Sequence, residues 1–259
     1  MLKELRETFR FRYVIYNYVY TSLKQKYRRS ILGFLWSVVA PLLQNLIIGV
    51  VFYYLMRFDM PNYIVYLFAG VVIYNILSIV VIQSPYVMIN NEGFIKKIYV
   101  PKLVFVLQVV FLEIINFILI LLSLIILGIL FKKLSFSLAY LFLPVSLFIS
   151  VIFLIGIATT ISIMSVYFRD MIHIVPVVMQ AAFFLTPVLY PISIVPEKMQ
   201  KIIKLNPFFY FVEIFRIPVL YNRLPDFKYI TFCALMSVIM FFAGLLILQK
   251  HNNRIIFKL

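Results

Sequence analysis

Long apolar stretches alternate with short polar interruptions along most of the chain. No residue from Phe34 to Met56 is charged, nor any from Tyr63 to Gln83. A third stretch, Leu103–Phe131, is broken only by Glu113. Others run over Leu138–Tyr167, Met171–Tyr190 and Tyr229–Leu248. At 1.5 Å per helical residue, about 20 apolar residues cross a ~30 Å hydrocarbon core. The pattern therefore predicts six spans and an all-α membrane protein. The interruptions read as turns: Arg57, Asp59 and Pro61; Ser84-Pro85 with the polar Asn90–Lys102; Lys132-Lys133; and Arg169-Asp170. An even number of spans puts both termini on one side.

Two segments break this rhythm. Near the start, Leu2, Leu5, Phe9, Tyr13, Tyr16, Tyr20, Leu23 and Tyr27 recur three or four residues apart, one face of an α-helix. Cations occupy its other faces. Tyrosine is favoured at membrane–water boundaries, so this helix is expected to lie in the headgroup plane; packing on a soluble partner is the other reading. The second segment, Pro191–Asp226, carries five prolines, mixed charge and aromatic runs such as Pro207-Phe208-Phe209-Tyr210-Phe211. It has no uncharged run long enough to span. Short helices dipping into the membrane edge or lying on it are expected, with their backbone satisfied by protein or water.

Composition narrows the class. The 259 residues are 64% hydrophobic and 13% charged, with a mean hydropathy of +1.06. A water-soluble domain of this length carries far more polar surface. Residues 1–259 read as one transmembrane domain: 1–33 an interface helix, 34–248 the spans, 249–259 a basic tail. With the N-terminus cytoplasmic, 15 Lys and Arg fall inside and 9 outside, and the dense cluster Lys24, Lys26, Arg28 and Arg29 precedes the first span. The net charge of +15 has no soluble basic domain to carry it, so it points to anionic lipids or an anionic lipid-linked substrate, not nucleic acid. The first apolar run starts only after about thirty residues, unlike a secretory signal.

Catalytic chemistry has no foothold. There is no G-x-x-x-x-G-K-[ST] phosphate loop. The single cysteine, Cys233, lies in an apolar run, and His173 and His251 have no zinc-like spacing, so no metal site is expected. Transport, channel formation or membrane scaffolding remain. Glu113 stands out as a membrane-buried carboxylate. Charge at bilayer depth costs roughly 2.5–3.5 kcal/mol on insertion scales, so it is either functional or near the interface.

The chain resembles the permease subunits of ATP-binding-cassette exporters of lipid-linked polysaccharides, the O-antigen, capsule and teichoic-acid exporters. The resemblance rests on KYRRSILGFLWSVVAPLL (Lys26–Leu43), NNEGFIKKIYVPK (Asn90–Lys102), YFRD (Tyr167–Asp170) and LNPFFYFVEIFR (Leu205–Arg216). It implies an interface helix, six spans, short exoplasmic re-entrant helices before the last span, and both termini in the cytoplasm at the bacterial inner membrane. It also implies a homodimer working with two nucleotide-binding ATPase subunits; these would hold ATP and magnesium, while this chain binds no cofactor.

The resemblance further implies site residues. Asn91, Glu92, Phe94, Lys96, Lys97 and Ile98 fall in an ATPase-coupling helix; an ordinary polar loop is the plainer reading. Arg28 and Arg29 sit where a lipid diphosphate would arrive, beside the Leu32-Gly33 turn. Arginine pairs phosphate oxygens bidentately, yet these two also fit a simple topology anchor. Phe34, Trp36, Tyr53, Tyr54, Tyr74, Phe183, Phe184 and Tyr190 are candidates for an aromatic channel lining; lipid-facing belts are the alternative for each. Rival functions are an exporter of drugs or simple lipids, a scaffold without transport, and a membrane glycosyltransferase, the last lacking an acidic catalytic cluster.

Overall fold

The computed structural model describes residues 2–26, 33–56, 63–130 and 137–259. Arg28, Arg29, Leu32 and the turns holding Arg57 and Lys132-Lys133 lie outside the described residues. All regular structure described is helical.

The N-terminal helix is two helices, α1 (Leu2–Arg10) and α2 (Arg12–Lys26). The buried stripe of α2 is Ile15 and Val19, four residues apart, packed on Val104 with Phe11, Leu23 and Leu107 around them. The tyrosine face points away: Tyr13, Tyr16 and Tyr20 are exposed, with Tyr16 stacked on Tyr20 and the Arg12 guanidinium over the Phe9 and Tyr13 rings. An aromatic, cationic outer face on a helix whose opposite stripe is anchored suits an interfacial position.

Gly33 opens a 3-10 turn, Gly33–Leu35, that leads into α3 (Trp36–Met56). Its φ is +49°, in the left-handed region that favours glycine. Next comes α4 (Tyr63–Gln83), buried along most of its length. It is the central post of the bundle, touching α3 and the later helices α7 (Leu103–Leu130), α8 (Leu143–Tyr167), α9 (Met171–Leu185) and α11 (Pro207–Tyr221). Two short helices, α5 (Tyr86–Asn90) and α6 (Glu92–Lys97), form the connection after α4.

Among the described residues, four helices are long and apolar enough to cross a membrane, within Tyr63–Gln83, Leu103–Ile126, Leu138–Tyr167 and Phe227–Asn252. Trp36–Phe52 and Met171–Leu185 are shorter apolar helices. The fifth expected span therefore ends early: α9 stops at Leu185, and Thr186, extended before Pro187, stands where proline disfavours helix in the preceding residue. The last helix runs long. As α12 (Phe227–Lys258) it carries the basic tail as regular helix.

The α8–α12 pair is the closest crossing. A Cβ on Gly156 would collide with the Met240 backbone, and one on Gly244 with the Gly156 carbonyl. Small residues here let two backbones approach in an apolar medium. The Ser237 hydroxyl lies 2.8 Å from the Ile149 carbonyl of α8, and 2.7 Å from that of Cys233.

The proline-rich segment splits into an outer and an inner part. The outer helix α10 (Glu197–Ile203) is largely exposed. The inner helix, α11, starts by Asn206 capping the Phe208 N–H at 3.0 Å with Pro207 in the first turn, and ends at left-handed Asn222. Phe211, Val212, Ile214 and Phe215 are fully buried against α4, α8 and α12. The segment does form short helices, as expected, and its inner one is packed inside the bundle. Its one central cation, Arg216, is inside the protein.

Candidate functional site

The bundle's two ends carry different chemistry. At the end holding α5 and α6, α2, α3, α4 and α7 line an open cavity of about 620 Å³. Helical spacing puts Glu113, Asn116 and Ile120 on one face of α7, toward this cavity. Gln83 closes α4, Lys26 closes α2, and Trp36, Ser37, Ala40 and Pro41 supply the opposite wall from α3. Glu113 is 5% exposed. Its carboxylate accepts from Asn116 Nδ2 at 3.1 Å and Gln83 Nε2 at 3.4 Å, while Lys26 Nζ donates to Asn116 Oδ1 at 3.2 Å. A buried carboxylate needs such partners.

The same end presents α6. Asn91 joins it to α5, its amide donating to the Val87 carbonyl at 2.7 Å. Phe94 is 59% and Ile98 54% exposed, with Ile95 buried behind them. Lys97 is exposed, and Lys96 pairs with Glu92 at 2.6 Å, a contact that holds the Glu92 carboxyl below its usual range. Ile98, expected in the helix, is instead the extended residue that caps its end, so the exposed apolar pair is split between α6 and the segment after it. Phe94 and Ile98 line a second cavity of about 480 Å³ with Phe11, Val14 and Tyr18. Tyr99 fastens α1 here: its hydroxyl donates to Glu7 Oε2 at 2.7 Å, which raises the Tyr99 pKa. Lys102 Nζ donates to Asn252 Oδ1 at 2.7 Å, tying in α12; burial lowers the Lys102 pKa, with Glu4 opposing.

The aromatic candidates divide between the two ends. Trp36 lines the Glu113 cavity. Tyr74 is buried, its hydroxyl donating to the Met179 carbonyl at 2.7 Å and its ring edge-on to Phe183 and Phe208. That contact packs α4 on α9. Phe184 is exposed beside Phe183, and the Tyr190 hydroxyl donates to the Phe184 carbonyl at 2.6 Å. Tyr54 is 73% exposed near the end of α3. Phe34 and Tyr53 are placed by backbone alone, in the 3-10 turn and in α3. Gly33 carries the bend described above, while its neighbours Arg28, Arg29 and Leu32 lie outside the described residues.

At the opposite end a buried cation escaped the sequence reading. Arg216 is fully buried. Its Nη1 donates to the Tyr66 hydroxyl and to Glu213 Oε1, each at 2.8 Å, its Nη2 to the Val188 carbonyl at 3.3 Å, and its guanidinium lies 3.9 Å from the Tyr66 ring centroid. The Tyr66 hydroxyl is in turn 2.9 Å from the Pro187 and Tyr190 carbonyls, and the Tyr63 hydroxyl donates to the Leu189 carbonyl at 2.7 Å. Gly70 leaves the space, since a Cβ there would strike Arg216. One side chain so joins α4, α11 and the loop after α9. The available signal was Glu213 three residues before Arg216 in an otherwise apolar, aromatic helix.

Among the described residues no group of His, Cys, Asp and Glu is placed to hold a metal ion. The comparisons with known proteins agree with one another. The family described as ABC-2 type transporter matches residues 14–220. The chain is 29% identical over 255 residues to the O-antigen export system permease protein RfbA of Myxococcus xanthus, covering 98% of each. It is 31% identical over 233 residues to the protein of the same name from Klebsiella pneumoniae, covering 90% of this chain and 89% of that one. It is 19% identical over 233 residues to the polysialic acid transport protein KpsM of Escherichia coli. With the match running through α2 to α11 and the relatives aligned nearly end to end, the chain belongs to the ABC-2 type transporter family.

Proposed function

We propose that the chain is the membrane-spanning permease subunit of an ATP-driven exporter that moves a lipid-diphosphate-linked polysaccharide, of the O-antigen kind, across the bacterial plasma membrane. The observation that carries this is the near full-length likeness to permeases named for O-antigen export. Two copies form the channel, and two separate ATPase subunits supply ATP hydrolysis with their magnesium. The four long spans are joined by α3 and α9 as spans one and five, so both termini face the cytoplasm. Residues at the cytoplasmic end then have distinct tasks. Phe94 and Ile98 seat in the ATPase and pass its motion to the bundle. Arg28 and Arg29 hold the diphosphate beside the Gly33 bend, and Glu113 stands deeper in the same cytoplasmic half. The exposed tyrosines of α2 float the N-terminal helix among the headgroups. Aromatic rings along the path, Tyr54, Phe184 and Tyr190 among them, offer low-specificity contact to passing sugars.

Deleting the chain in its source cell tests the reading. The expected result is lipid-linked glycan trapped on the cytoplasmic leaflet, restored by the wild-type chain. Glycan lipid reaching the outer leaflet without the chain would leave the scaffold reading standing instead. An ATPase activity of the complex stimulated by drugs or simple lipids, and not by glycan lipid, would favour the other exporter class.

A further inference from the structure

The cavity around Glu113 has a chemistry that a diphosphate alone does not call for. Its volume of about 620 Å³ falls in the ~300–1,000 Å³ range of small-molecule sites. One wall carries a carboxylate and two carboxamides, Glu113, Asn116 and Gln83; the facing wall carries the Trp36 indole. A carboxylate accepts hydrogen bonds and an amide both donates and accepts. Phosphate oxygens accept only, so Glu113 repels them, whereas vicinal hydroxyls donate and accept and suit all three groups. The Gln83–Glu113 bond is long, 3.4 Å, and can yield to a better partner. Trp36 is 45% exposed, which leaves ring surface for a ligand. Among the described residues the cation lining the cavity is Lys26, at the end of α2. Glu113 lies ten residues into α7, about 15 Å from its start at 1.5 Å per residue. Lys26 Nζ, 3.2 Å from Asn116 Oδ1, borders the hydroxyl-binding groups directly, an arrangement that fits a molecule with a phosphate adjoining a sugar.

We propose that this cavity seats the first sugar of the lipid-linked cargo. Glu113, Asn116 and Gln83 bond its hydroxyls, Trp36 lies against its ring, and Lys26 faces the adjoining phosphate. This rests on the cargo being a lipid-linked glycan, as proposed above, and adds a specificity site for the sugar next to the lipid. The site sets which glycan lipids are admitted, independently of the length of the polymer behind them.

Trp36 is the chain's single tryptophan, so its emission reports occupancy directly. The permease–ATPase complex in nanodiscs is titrated with polyprenyl diphosphate bearing one N-acetylhexosamine, with bare polyprenyl diphosphate, and with phosphatidylglycerol. A Trp36→Phe complex supplies the blank for the partner's emission. The sugar-bearing probe is expected to shift Trp36 emission saturably and more tightly than the bare probe. Glu113→Ala and Asn116→Ala should each weaken the sugar-bearing probe about tenfold, as loss of a hydrogen bond to a charged or buried group does, and the bare probe less than about twofold. Glu113→Gln, which keeps the side-chain volume, should weaken it about threefold and covers the case in which Glu113→Ala fails to assemble. Equal binding of both probes, unchanged in the variants, overturns the sugar site while leaving the cargo reading intact. An equal response to phosphatidylglycerol also overturns it, making the cavity a general lipid seat. If neither polyprenyl probe binds or is transported by a complex that hydrolyses ATP, the cargo reading falls together with the site.

Discussion

Arg216 and Glu113 are both charges sunk in an apolar bundle, one fully buried and the other 5% exposed, yet their surroundings are opposite. Arg216 is walled in. It makes two 2.8 Å bonds, lies on the Tyr66 ring, and occupies space that exists only because residue 70 is glycine. Glu113 has longer bonds, to amides alone, and opens on a cavity. A buried charge bonded through both terminal nitrogens, with only its Nε left without a partner, holds helices in one arrangement. One left beside open volume with loosely held partners is suited to a ligand that comes and goes. The contrast fits cohesion at the Arg216 end and is the basis for proposing recognition at the Glu113 end.

Breaking the Arg216 knot should have the largest effect. Arg216→Ala leaves Glu213 without its partner, takes one donor from the Tyr66 hydroxyl, and removes the guanidinium's tie between α4, α11 and Val188. Losing one partner of a buried charged pair costs roughly 3–5 kcal/mol. The expected outcome is a large fall in the thermal midpoint of the purified complex, with no selective change in Trp36-reported ligand binding in whatever material remains folded. A variant of wild-type stability would show that the knot holds nothing.

Replacing Phe94 and Ile98 with Asp should come next, and should act on assembly instead of stability. Burying two carboxylates against a partner is costly. The expected result is loss of the ATPase on co-purification with an unchanged melting profile of the chain itself. Retained ATPase and normal export would remove α6 from the docking surface.

Gly70→Ala sharpens the comparison from the other side. The added methyl meets the guanidinium, and overpacking of this kind costs about 1–3 kcal/mol. A drop in stability is expected, relieved when Arg216 is shortened to Lys in the same chain. Adding the Gly70 methyl without any loss would mean the guanidinium has room to move.

The smallest effect is expected of Tyr99→Phe, which removes one exposed bond to Glu7. Amide exchange in Leu2–Arg10 should quicken, with exchange in α4 and α7 unaltered.

What the sequence disclosed follows from period and polarity. Apolar runs bounded by charge gave α3, α4, α7 and α8 within a few residues, because a bilayer-length helix leaves a long uncharged record. The end of α9 was overshot because Thr186-Pro187-Val188-Leu189-Tyr190 is as apolar as the helix before it, and only the proline marks the break. The continuation of α12 into its basic tail was hidden for the converse reason: polar residues can extend a helix beyond the membrane. The interior place of α11 was hard to see, since its charges Glu213 and Arg216 forbade a span by composition and are accommodated by pairing with each other and with tertiary partners such as Tyr66, 150 residues away in the chain. Glu113 could be picked out as a lone carboxylate. Its cavity could not, because Lys26, Trp36, Gln83 and Asn116 converge from four helices.

The central claim is tested most directly by reconstitution. The chain and its ATPase partner are placed in liposomes, polyprenyl-diphosphate-linked glycan is supplied on the ATP-accessible leaflet, and the glycan reaching the other leaflet is measured by an impermeant lectin. Lectin-accessible glycan that accumulates only with ATP, only with both proteins present, and falls sharply when Phe94 and Ile98 are both aspartate is the predicted result. Hydrolysis of ATP without any glycan crossing, or crossing that proceeds equally without this chain, would contradict the account.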